Sequence, residues 1–150
     1  MPTGTGAAPA SAPGWSTRSP SRARGDTDRT VSLLSAATSW WRGEPLSDLG
    51  AVAGETHEIE HARLLHLSAT LDLGELRLAR GQMANASIDA ERALTLDPYS
   101  ERAHRLAIAA ALHGRDQERA NIAVDRTMAM LDEVGVEPEP ATKILLRQAG

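Results

Sequence analysis

Residues 67–98 read LSATLDLGELRLARGQMANASIDAERALTLDP, and the fold turns on this stretch. Leu64, Leu67, Leu71, Gly74 and Leu78 recur at alternating spacings of three and four residues, which lays them along one stripe of an α-helix facing a partner. Gly81 ends that helix. After a short polar break, Ala86, Ala90 and Ala93 share a face of a second helix, and small side chains there let two antiparallel helices approach closely. Pro98 closes the unit.

Counted back from Pro98, the apolar Leu73 and the small Gly74, Ala86 and Ala93 fall where a tetratricopeptide repeat places such residues, within a period of roughly 34. The unit resembles a helix-turn-helix docking repeat. The expected fold is all-α, built of tetratricopeptide-like antiparallel hairpins in a short α-solenoid. Composition agrees: with no Phe, one Tyr and three Trp, the core must come from Leu, Ala, Ile, Val and Met. That mixture suits close helix packing better than sheets, which favour aromatic and β-branched residues.

A chain of 150 residues fits one domain and can bury roughly two thirds of its unfolded surface. The absence of cysteine removes disulfides and thiolate chemistry and suits a reducing cytoplasm, the expected location. No apolar run reaches the roughly 20 residues that a membrane helix needs, and the N-terminus lacks the apolar core of a secretory signal. A net charge of −4 argues against broad non-specific nucleic-acid binding, which depends on clustered Lys and Arg.

Residues 1–28 are dense in Pro, Gly and Ser and low in large apolar side chains, so a disordered tail is expected there and a helical domain over 29–150. Arg18, Arg22 and Arg24 in that tail read as part of a solvated linker. The first helix is expected from about Asp28, with Asp28 as N-cap and Val31, Leu34, Thr38 and Trp41 at helical spacing until Gly43 stops it. A tight loop bearing Pro45 follows, on which Trp41 and Leu46 are expected to pack against the next helix.

That helix, from about Glu55 to Arg80, carries one string that looks catalytic. His57, Glu58 and His61 satisfy H-E-x-x-H, in which two histidines one turn apart chelate zinc and the glutamate activates water. A catalytic zinc needs a third ligand. The positions where one extended motif places a glycine and a third histidine hold Leu64 and Leu67, and the nearest glutamate for the other arrangement is Glu75. No stretch alternates as the strand along which such peptidases lay their substrate. Zinc hydrolysis is therefore the weakest reading; a solvent-facing first turn whose Glu58 and Glu60 favour the helix N-terminus is the stronger one. No catalytic residue, metal ligand or cofactor is assigned.

Beyond Pro98 the pattern repeats. Asp97 is expected as N-cap with Pro98 at the first helical position, and Ala103, Leu106, Ala107, Ala110 and Ala111 form a small-residue face that ends at Gly114. Asp116 can cap the next helix, in which Ala120, Val124, Thr127, Leu131 and Val134 step by four and three until Gly135 terminates it. Residues 136–140 read as an extended bridge, with Glu137 and Glu139 solvated. A last short helix over 141–148 is expected to bury Ile144 and Leu145.

Four strings occur in order and at suitable spacing: Trp41-Arg42-Gly43-Glu44-Pro45-Leu46; Glu60 through Arg63-Leu64; Asp97 through Leu106; and Gly135-Val136-Glu137-Pro138. Together they make residues 31–148 similar to the bacterial transcriptional activator domain of the SARP family of antibiotic-biosynthesis regulators. The motif positions are Trp41, Gly43, Pro45, Gly74, Pro98, Gly135 and Pro138. The resemblance implies a tetratricopeptide-like domain that normally follows a winged-helix DNA-binding domain and serves self-association, regulation and contact with the transcription machinery. Residues 1–28 are too few for a winged helix and show no recognition-helix pattern. The family's opening helix also has no counterpart in the sequence pattern.

The expected function is thus a transcription-regulatory interaction module that meets DNA only indirectly or through a separate chain. Its partner is a protein, either itself or the transcription machinery. Without the opening helix, the side bearing Val31, Leu34 and Trp41 lies open unless another subunit covers it, so a homo-oligomer is expected. Arg77, Arg80, Arg102 and Arg105 are the candidate partner-binding residues, on the inner faces of successive helices. A general repeat scaffold unrelated to transcription is the alternative.

Overall fold

The computed structural model describes residues 20–40 and 53–150. Among them are six α-helices and no strand: α1 (Pro20–Trp40), α2 (Ala53–Ala79), α3 (Met83–Leu96), α4 (Glu101–His113), α5 (Gln117–Val134) and α6 (Pro140–Ala149). Each helix packs on its neighbour in sequence, α2 also touches α4, and α6 folds back onto α4 and α5. Short turns force the reversals, so α2–α3 and α4–α5 are the two expected hairpins. Trp41, Gly43, Pro45 and Leu46 lie outside the described residues.

Alanine makes the core dense. Ala86, Ala90 and Ala93 of α3, Ala103 of α4 and Ala120 of α5 are fully buried, and α4, flanked by four helices, is buried along almost its whole length. Gly74 marks the closest approach. A β-carbon there would lie 2.4 Å from Leu106 Cδ2 and 3.1 Å from Asp89 Cβ, and Leu106 is itself buried. Leu71 is buried as its stripe predicts, with Leu67 and Leu78 half-buried beside it. Leu64 departs from the stripe: it is 55% exposed.

Helix ends follow local chemistry. Gly81 (φ +76°) and Gly135 (φ +73°) take the left-handed conformation. The next N–H turns back in each case, Gln82 to Arg77 O at 2.9 Å and Val136 to Leu131 O at 3.2 Å, which satisfies carbonyls that a helix end leaves open. Asp116 caps α5 by accepting from the Arg119 N–H at 3.0 Å. At the end of α4 the left-handed residue is Arg115 (φ +57°), while Gly114 stays right-handed.

Several sequence expectations are corrected. Asp28 is not an N-cap; α1 starts at Pro20, within the stretch read as a tail, and Asp28 lies inside it, paired with Arg80. Asp97 and Pro98 do not start α4. Asp97 accepts from the Tyr99 N–H at 2.9 Å to shape the turn, and Ser100 is the cap, accepting from Ala103 N–H at 3.3 Å. In α6 it is Thr142 and Ala149 that are buried, with Leu145 half-buried and Ile144 exposed. Val134 is exposed too, and Ala123 and Met130 fill the α5 face beside Thr127 and Leu131. Glu139 is no free solvated charge: its carboxylate meets Arg105 and its N–H donates to Glu101 Oε1 at 2.6 Å.

Candidate partner-binding groove

On α2, a second stripe runs one residue behind the leucines: Ile59, Arg63, His66, Thr70, Leu73 and Arg77, again at spacings of four and three. It forms the floor of a groove of about 630 Å³. Ser35, Thr38 and Ser39 of α1 make one wall, and Asp89, Arg92, Thr95 and Leu96 of α3 make the other.

Arg77 ties the three helices together at one end. Its Nη1 donates to both oxygens of Asp89, at 2.9 and 2.7 Å, and its Nη2 donates to Ser35 Oγ at 3.1 Å. Arg92 Nη1 stands 3.7 Å from Asp89 Oδ1. The Asp89 side chain is 1% exposed. Burial pushes its carboxyl above the usual range, and the Arg77 hydrogen bond and the two arginine charges offset only part of that.

Along the groove, Arg63 Nε and Nη2 donate to Leu96 O at 3.1 and 2.6 Å, placing a cation at the C-terminal end of α3, where the helix dipole favours it. Burial, with a smaller push from Arg92, holds His66 below its ordinary pKa of 6.5, so the ring favours its neutral form. The hydroxyls of Thr38, Ser39, Thr70 and Thr95 donate to carbonyls of their own helices at 2.8–2.9 Å. Their oxygen lone pairs remain as acceptors.

Of the four arginines singled out in the sequence, only Arg77 lines this groove. The others bridge helices elsewhere: Arg80 pairs with Asp28 of α1, Arg102 with Asp72 and Glu75 of α2 at 2.6 and 2.7 Å, and Arg105 with Glu139 and Thr142 at the start of α6. Two carboxylates raise the Arg102 pKa further, so it is permanently charged. Arg126 of α5 spans likewise to Glu91 of α3 at 2.6 Å. On α1, Val31 and Leu34 are half-buried and Leu33 is exposed.

His57, Glu58, Glu60 and His61 are exposed on the early turns of α2. Glu75, the third ligand that the zinc string would need, lies several turns away with both oxygens on Arg102. Among the described residues, no three potential ligands gather into a metal cluster, and no helix is long and apolar enough to cross a membrane.

Residues 16–148 match the model of the bacterial transcriptional activator domain, a span that includes all six helices but the last residue of α6. The chain belongs to this family. A search of curated proteins and a search of solved structures returned no match. Membership in the activator-domain family accounts for the all-helical repeat architecture and places the chain among components of transcriptional regulation. Arg63, His66 and Arg92, which the activator domain brings to its groove, went unread in the sequence. For Arg63 and His66 the signal was available as the second 4–3 stripe of α2, masked by the leucines next to it; Arg92, on α3, lies outside that stripe.

Proposed function

We propose that this activator domain regulates transcription as a protein-interaction module: it holds a partner protein in the groove between α1, α2 and α3 and does not itself read DNA. The observation that carries this reading is the family match across residues 16–148. The groove supports it physically, since a trough floored by one helix and walled by two is a surface on which a peptide segment can lie. The net charge of −4 speaks for a protein partner over a nucleic acid.

We also propose self-association. Leu33 on α1 and Leu64 and Leu65 on α2 are large, apolar and 55–63% exposed, which is the character of surface that a second subunit covers. In this reading Val31 and Leu34 contribute from α1, Trp41 joins them from outside the described residues, and Arg77 and Arg80 hold the helices that present the groove.

Tethering tests the regulatory reading. Fused to an unrelated DNA-binding protein and directed to a reporter promoter in a bacterial cell, the full chain should change transcription from that promoter. Reporter output equal to that of the unfused DNA-binding protein would overturn it.

A further inference from the structure

We propose that the groove takes an acidic, amphipathic peptide segment of the partner, laid lengthwise along α2; this rests on the reading above that the groove is where a partner sits. Shape comes first. From Ile59 to Arg77 the floor rises about 27 Å at 1.5 Å per residue, and a volume of about 630 Å³ drawn out over that length makes a shallow trough. A rounded small ligand would leave most of such a trough wet, whereas an extended chain follows it.

Charge decides the class of peptide. Among the described residues, three guanidinium groups, those of Arg63, Arg77 and Arg92, border a groove lined by one carboxylate, Asp89, which is held on both oxygens by Arg77. The groove is therefore cationic in a chain whose overall charge is −4. The Arg92 side chain is 63% exposed against 18% for Arg77, and it stands on the α3 wall where a carboxylate laid in the groove would meet it. Ile59 and Leu96, both half-buried, supply apolar contact between the charges.

The hydroxyls argue for a peptide over a simple organic acid. Thr38 and Ser39 on one wall and Thr95 on the other have spent their protons on helix carbonyls, so they present acceptors, which repel a bare carboxylate and suit backbone N–H donors. Guanidinium groups for acidic side chains and hydroxyl oxygens for main-chain amides together match a polypeptide that carries Asp or Glu.

Selection from a random dodecapeptide phage library on the immobilised full chain tests this. Recovered peptides should be enriched in Asp and Glu together with an apolar residue. A synthetic peptide of the leading sequence should bind about tenfold more weakly to Arg92→Gln, which deletes one desolvated charge contact. Ser39→Glu, which sets a carboxylate on the opposite wall, should weaken it at least as much, and it serves where Arg92→Gln fails to fold by circular dichroism. Recovery of no peptides, recovery of peptides without an acidic excess, or binding unchanged in a folded variant would overturn the proposal. The selection uses no promoter, so its failure leaves the tethering result intact, and a silent reporter leaves a selected peptide intact.

Discussion

At position 74 any side chain larger than hydrogen presses on Leu106. Leu106 Cδ2 would stand 2.4 Å from a β-carbon there, so the crossing of α2 and α4 depends on glycine although glycine weakens a helix interior. Gly74→Ala should lower stability in urea unfolding by about 1–3 kcal/mol through overpacking, despite alanine's advantage of about 1 kcal/mol in helix propensity. A stabilised variant would mean that the two helices stand further apart. His104 is a second residue whose surroundings set its behaviour. Buried between α3, α4 and α5, its Nε2 meets Pro98 O at 2.9 Å and its Nδ1 lies 3.3 Å from Thr127 Oγ1. Burial lowers its pKa below 6.5; Arg126 pushes the same way, while the Pro98 carbonyl, Glu91 and Asp97 push back.

The sign of the resulting pH dependence follows from that lowering. The unfolded chain takes up the His104 proton at higher pH than the folded one, so this contribution to stability is complete above about pH 6.5 and declines as pH falls toward the folded value. His66 acts with the same sign. Asp89, raised by burial, acts oppositely and lower, in the carboxylate range. The urea midpoint should therefore drop between about pH 7.5 and pH 5.5, and His104→Gln should flatten that drop. An equal drop in the variant would assign the titration elsewhere.

At the scale of elements, two stripes on α2 do different work while lying one residue apart. Leu67, Leu71, Gly74 and Leu78 bury against α3 and α4, and Arg63, His66, Thr70 and Arg77 open into the groove. The leucine stripe was legible because apolar periodicity is the strongest helical signal. The groove stripe was not, since mixed Arg, His and Thr at the same period also describe a solvated face until a neighbouring helix walls it in. Ser35 to Arg77 and Asp28 to Arg80 are polar contacts that tie helix α1 to α2, and the first depends on a pair that is largely out of water. Arg77→Ala leaves the buried Asp89 carboxylate with Arg92, 3.7 Å away, as its nearest cation and should cost about 3 kcal/mol in denaturant unfolding. Amide exchange in α1 should also quicken ahead of the other helices. A cost under about 1 kcal/mol, or unchanged exchange in α1, would show that the Arg77 staple does not anchor that helix.

For the whole molecule, interhelix arginines set the solenoid together with the alanine core. Arg102, Arg105 and Arg126 each join helices that are not successive in the chain, a pairing that one-dimensional spacing cannot reveal. The exposed leucines of α1 and α2 bear on assembly. Light scattering across a concentration series should show a mass that grows with concentration, and Leu64→Glu should shift it toward the single chain. A constant monomer mass at the highest concentration would remove self-association.

Helix content, hairpin order, the glycine stops at Gly81 and Gly135 and the cap at Asp116 were all written into the linear chain, because each depends on φ preference, a side chain's own reach or a period of a few residues. Membership in the activator-domain family was legible for the same reason, as ordered local strings. Tertiary structure alone settled which arginines became staples, and that Arg63, His66 and Arg92 would share one groove. Those outcomes depend on what another helix brings within a few ångströms, and that distance is set by the packing of alanine and glycine at the helix crossings.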